Sequence, residues 1–388
     1  LSTRQNDLDI PLTGPIVRID ALSEEQQMEM AVSSRGEEGK RILDHAWRTP
    51  GIRDLISIPL YLTVLLSQTS GETLPTTKEE ILRLFVDNHE KDTEKAIELR
   101  KIFSGIHREI LYTLAAEATY EITTAISESK ARSLCKSVTD RLIEQGQLAS
   151  PIEPAVALNA FVNLHTLIRS DTDGSLSFQH QQFQEWYASF HVEDLMISAA
   201  RGSAEDIDKL REYVIDQRIW EESILFACER LSSAGASKIE AVAFTILETL
   251  GIDPLLSAEI IYRSSEDVWL LVKDDVQGFV QKWHRPGQVD RAVGFMINTG
   301  RPNFLECLWP LISEENDQVH LATLRAGKRF RAAVLGVDIR AKLSSLPEKL
   351  RMYIISEIAK YGDIPGMELA TKLAIDDSSA KVKFETIG

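Results

Sequence analysis

Over most of this chain the apolar residues recur three and four positions apart, the period of one face of an α-helix. Asp20-Ala-Leu-Ser23 followed by Glu24, Glu25 and Gln26 reads as a helix start. Ser23 is a good cap, and acidic residues suit the positive end of a helix dipole. Helices are expected over roughly 37–48, 51–68 and 78–95, the last capped by Leu74-Pro75-Thr76-Thr77 with Glu79 and Glu80 in its first turn. Ile106, Ile110, Leu111, Leu114 and Ala115 mark another helix, Ser127 with Lys130 to Leu142 the next, and Ala155 to Asn163 a third.

The period then changes. Thr166-Leu-Ile-Arg-Ser170 and Ser175-Leu-Ser-Phe-Gln179 alternate around Asp171-Thr-Asp-Gly174, and an Asp/Gly loop between two alternating segments predicts a hairpin. Three helices followed by a two-stranded wing make a winged-helix domain. Near the N terminus, residues 1–19 read as the end of one strand, a polar loop whose turn formers follow Arg4, and, after Gly14-Pro15, a second short strand, Ile16-Val-Arg-Ile19.

From about 201 onward every pattern is helical and the helices come in pairs: 203–217 with 219–233, 236–250 with 254–263, and 346–361 with 363–375, the last pair turning on Asp363-Ile-Pro-Gly366. Pairing with short turns predicts HEAT-like repeats, with an irregular all-α bundle as the alternative. The expected fold is mainly α, divided as 1–19, a helical domain over 20–98, a winged helix over 99–200 and a repeat region over 201–388.

Composition narrows the function. A chain of 388 residues suggests two to four domains, and 44% hydrophobic residues is an ordinary globular share that excludes bulk disorder. A formal net charge of −16 opposes wholesale binding to phosphate backbones. The basic exception is a cluster of Arg325, Lys328, Arg329, Arg331, Arg340 and Lys342 around Phe330, where nucleic acid or an acidic protein could dock. Cys135, Cys228 and Cys307 lie far apart with no CxxC spacing, as expected of buried, reduced cytoplasmic thiols. The most apolar run, Ile56 to Leu66, contains Pro59 and is too short to span a bilayer. The chain begins with Leu1 rather than Met and ends in what reads as an unfinished helix, so both ends are expected to be cuts in something longer.

The catalytic inventory is nearly empty. No G-x-x-x-x-G-K-[ST], G-x-S-x-G, H-E-x-x-H or G-x-G-x-x-G occurs, and the histidines are scattered. Trp220, Trp269, Trp283 and Trp309 read as core between paired helices, as do Phe183 and Trp186, three apart on one helical face.

Several landmarks follow one another in a particular order. They are Ser2-Thr3-Arg4, then Leu22-Ser-Glu-Glu25, Ile58-Pro-Leu-Tyr-Leu62, Leu74-Pro-Thr-Thr-Lys-Glu-Glu80, and Phe178-Gln-His-Gln-Gln-Phe-Gln-Glu-Trp-Tyr-Ala188 after the wing. Asp216-Gln-Arg-Ile-Trp-Glu-Glu-Ser-Ile-Leu-Phe226 comes last. Together they resemble the NACHT-type STAND ATPases, nucleotide-switched sensors that include animal NLR receptors and bacterial anti-phage proteins. The resemblance covers residues 1 to about 230; the helical array beyond is alike only in type.

The resemblance implies that 1–19 closes a nucleotide-binding core whose P-loop lies outside this chain. It implies that Arg4 senses the terminal phosphate, that Pro59 packs on adenine, and that His180 touches the bound ADP. Ile58 stands where the family has asparagine, which removes any polar contact from that position, and Trp186 replaces the usual tyrosine or phenylalanine. The implied cofactor is ATP/ADP with Mg2+. A protein ligand, a phage protein where the setting is bacterial defence, would act at the C-terminal repeats, and activation would assemble a cytoplasmic homo-oligomer. The alternative is a nucleotide-independent helical scaffold or adaptor. A DNA-binding winged helix is the weaker third reading.

Overall fold

A computed structural model describes residues 21–49, 52–67, 73–91, 93–164, 166–283, 289–313, 323, 331–361 and 364–387. The strands expected over 1–19, with Arg4, lie outside these residues, as do Arg325, Lys328, Arg329 and Phe330. Among the described residues the fold is mainly helical with one small sheet. Among the described residues no helix is long and apolar enough to cross a membrane. Two compact units divide the chain: Leu1–Trp47 with Gly51–Leu74, and Arg48–Pro50 with Pro75–Gly388. The division falls inside the expected helical domain of 20–98.

The first unit holds α1 (Glu24–Arg48) up to Trp47, α2 (Ile52–Leu55) and α3 (Pro59–Leu66). Ser23 caps α1 reciprocally: its Oγ accepts the Gln26 N–H at 3.2 Å, and Gln26 Oε1 accepts the Ser23 N–H at 2.9 Å, a capping box. The helix therefore starts at 24, where Ser23 predicts it, and runs on through the segment expected as a separate helix over 37–48. It breaks at Gly36, whose φ of 57° only glycine adopts without cost, and Gly39 beyond the break packs too closely on the Ala31 carbonyl to carry a side chain. The expected helix over 51–68 splits at Ser57 and Ile58, because a residue before proline is pushed out of the helical region. Leu22 N–H donates to Ser57 O at 2.8 Å and Arg35 Nη1 to Leu66 O at 3.0 Å, tying α1 to the α2–α3 segment. Ile42, Leu43, Ile52, Leu55, Tyr61, Leu62 and Leu65 are buried.

The second unit begins with α4 (Lys78–Lys91) and α5 (Thr93–Phe103), then runs α6 (His107–Tyr120), β1 (Ala125–Ile126), α7 (Glu128–Glu144), α8 (Pro154–Leu164), β2 (Leu167–Arg169) and β3 (Leu176–Phe178). The antiparallel sheet has the order β1-β3-β2, with Ile126 opposite Leu176 and Leu167 opposite Phe178. That order is the winged-helix arrangement, and the hairpin lies where the sequence places it. The strand β1 was not expected; two residues are too few to show a period. Ser127 caps α7, accepting the Lys130 N–H at 3.4 Å.

The long helix α9 (Gln181–Ala200) follows the wing. After it come α10 (Ala204–Lys209), which runs on as a π-helical turn over Leu210–Ile215, then α11 (Glu221–Ser232), α12 (Ala236–Ile252), α13 (Pro254–Arg263), α14 (Glu266–Trp283) and α15 (Val289–Thr299). Helices α9, α11, α13 and α15 touch in succession as one row, and the π turn, α12 and α14 as another. Two rows of alternating helices are the pattern of a helical-repeat stack. Next come α16 (Leu305–Ile312), α17 (Ile339–Ser344), α18 (Glu348–Tyr361), α19 (Ile364–Asp376) and α20 (Ala380–Ile387), in which α18, α19 and α20 pack on one another. Helix α9 has two partners at once. It closes the winged helix on α6 and starts the stack on α11, and Phe183, Trp186, Tyr187 and Val192 are buried between them. Trp220 and Trp269 are also buried, Trp309 only half so, and the side chain of Trp283 lies outside the described set.

Candidate functional site

His180 stands at the junction of β3 and α9. Its backbone is extended (φ −139°, ψ 144°), and its carbonyl accepts the Phe183 N–H at 2.9 Å, which makes it the N-cap of a twenty-residue helix. The preceding Gln179 N–H is held by Thr166 O at 2.8 Å, so β3 delivers His180 to a fixed place. Its ring is half-buried, 6.0 Å from that of Phe183. No acidic residue occupies the first turn of α9. The free N–H groups and positive dipole end of such a helix suit an anion, which a carboxylate there would compete for.

Pro59 is the first residue of α3 and is exposed, with Ile58 as an extended N-cap. Its ring costs the helix nothing at that position and presents a flat apolar face to solvent. Pro59 belongs to the first unit and His180 to the second.

The basic cluster is corrected at Arg331. That residue is 4% exposed, its guanidinium lies 3.5 Å from the centre of the Tyr262 ring, and it pairs with Glu259 and donates to the Asn298 carbonyl. It serves the interior and offers no charge to a nucleic acid. Arg340 is spent on Asp376. The cysteines divide as well. Cys135 and Cys228 are buried, and burial pushes the Cys135 thiol up to about 12, but Cys307 on α16 is exposed, against expectation.

A chain of buried ion pairs along α4, α9, α11 and α13 was not foreseen. Glu79, 3% exposed, accepts the Trp186 Nε1–H at 3.2 Å and faces Arg230 Nη1 at 3.4 Å. Arg230 also donates to Ser189 Oγ at 2.8 Å and Glu193 Oε2 at 3.1 Å, with Phe190 under its guanidinium at 3.8 Å. One turn into the next pair, Arg263 donates to Glu229 Oε1 at 3.1 Å and Glu259 Oε1 at 2.8 Å. Burial works against the Glu259 charge, but Arg331 and Arg263 outweigh it and hold that carboxyl below its usual range. Glu229 goes the other way. Burial pushes it up, and Arg263 only partly offsets the push. A signal existed for Glu79, since it lies three and seven positions before Leu82 and Val86 on the buried stripe of α4, where a charge needs a partner. The partner, 151 positions away, had no local signature.

Among the described residues no group of three or more His, Cys, Asp or Glu is placed to hold a metal ion. Comparison with protein-family models, with curated proteins and with solved structures finds no match.

Proposed function

We propose that this chain is the switching and sensing part of a nucleotide-regulated signalling protein of the NACHT-type STAND class, acting in the cytoplasm in immune or anti-phage defence. The observation that supports this reading best is the position of His180. The one histidine of the F-x-H-x-x-F-Q-E pattern caps the long helix that leaves the wing, beside N–H groups suited to a phosphate. ADP held there by the imidazole and the α9 N-terminus, with adenine on Pro59 and the terminal phosphate near Arg4, would fix the winged helix in a closed state. The Mg2+ and most phosphate contacts would come from residues other than these. A protein ligand on the helical stack would favour the open state by its differential affinity, and homo-oligomerisation would follow.

The test is fluorescent-ADP binding by the native gene product purified from its own cells, with its intact mass measured alongside. His180→Ala should weaken ADP by about tenfold, the worth of one charge-assisted hydrogen bond, and raise basal oligomerisation. Unchanged ADP affinity and unchanged oligomerisation would end the proposal. The absence of any phosphate-binding loop from these 388 residues favours a second reading, a nucleotide-independent scaffold for protein partners. No ADP binding at a native mass near 43.6 kDa would establish it.

A further inference from the structure

A cleft of about 540 Å³ opens over the buried ion pairs, between the cap of α4, the end of α11 and the turn from α13 to α14. Its lining is polar: the hydroxyls of Thr77, Ser233 and Ser265 sit among four carboxylates, Glu229 included, and four cations, Arg263 included, that pair with them. The ion pairs are not evenly shared. Glu79 has both Arg230 and Arg83, Glu193 has Arg230 and Lys238, Glu222 has Lys78 and Arg263, and Glu259 has Arg263 and Arg331. Among the described residues Glu229 pairs with Arg263 alone, and Arg263 also serves Glu222 and Glu259. The Glu229 side chain is only 6% exposed, and among the described residues no group donates a hydrogen bond to its Oε2. A buried carboxylate oxygen without a donor is costly, and one that lines a cleft large enough for a small molecule is an unfilled recognition point. Burial holds the Glu229 carboxyl above its usual range, with the Thr77 hydroxyl and Arg263 easing its charge from two sides.

We infer that this cleft is a binding site for an organic cation, whose ammonium or guanidinium group donates to Glu229 Oε2 and whose remaining donors meet the flanking hydroxyls. A planar guanidinium suits the site well, since its fork reaches a carboxylate and a neighbouring hydroxyl together. The strongly acidic chain would draw such a ligand in and repel anionic competitors. The cation could be a free small molecule or an arginine side chain of a protein, and the same chemistry serves both. The inference stands on the cleft alone and is independent of any nucleotide at His180.

Isothermal titration of the chain with agmatine, and separately with an N-acetylated, C-amidated Gly-Arg-Gly peptide, tests it at low ionic strength. Saturable one-to-one binding of either probe is expected, tighter agmatine indicating a free small molecule and a tighter peptide a protein side chain. Glu229→Gln should weaken the bound probe about tenfold or more, while Glu221→Gln outside the cleft leaves it unchanged. Ser233 is exposed at the rim, so Ser233→Arg should keep the fold and abolish binding by placing a tethered guanidinium in the cleft. No saturable binding by either probe, or binding that survives both Glu229→Gln and Ser233→Arg, would overturn the proposal and leave Glu229 Oε2 to water.

Discussion

Glu185 on α9 carries a carboxyl that burial pushes up to about 7; Glu222 adds to the push, and Gln181 and Lys78 oppose it. Its folded value thus exceeds its unfolded one, so between roughly pH 4.5 and 7 the folded state holds a proton that the unfolded state has lost. Stability from this group is full at low pH and is lost as pH rises through 7. Glu185→Gln should therefore be more stable than the parent at pH 8, by about 1–3 kcal/mol, with the difference vanishing near pH 4. Urea melts at the two pH values check this, and a pH-independent difference would contradict it. The same residue shows what could be read from sequence. Phe183 and Trp186 are core as their spacing predicted, and the motif around His180 falls on a helix start. The titration of Glu185 depends on Glu222, a residue of another helix that no local window contains.

Elements were legible where a cap or a turn announced them. Ser23, Ser127 and Thr77 all act as caps, and the Asp171–Gly174 loop joins β2 to β3. Ser127→Ala should cost about 1 kcal/mol of stability with no change in fold, measured as a shifted denaturation midpoint at constant slope. A neutral result would mean that the long 3.4 Å contact contributes nothing. Legibility failed where an element had no period of its own. The strand β1 has two residues and exists because β3 offers it an edge. The two helices expected from 24 and over 37–48 form one element, α1, with its kink at Gly36.

At the scale of the molecule, α9 serves both the winged helix and the stack, and Arg230 fastens α11 to α9 and α4 at that point. Breaking a buried pair by removing one partner costs more than the pair was worth, because it strands the other charge. Arg230→Met should lose about 3–5 kcal/mol, and adding Glu79→Gln should recover part of the loss. Equal stability of the single and double variants would show that the two residues do not act together. The π turn at Leu210–Ile215 has an outcome of a different kind, written in codons rather than contacts. A π turn spends one residue more than an α-helix of similar reach. Deleting one codon there would close the segment into an α-helical turn with its flanks kept in register, whereas deleting one from a regular helix such as α12 would swing everything beyond it by about 100°. Lineages of this chain should therefore tolerate length changes in the wing loop, between Asp171 and Gly174, and lose a single residue within 210–215 more readily than within the regular helices around it.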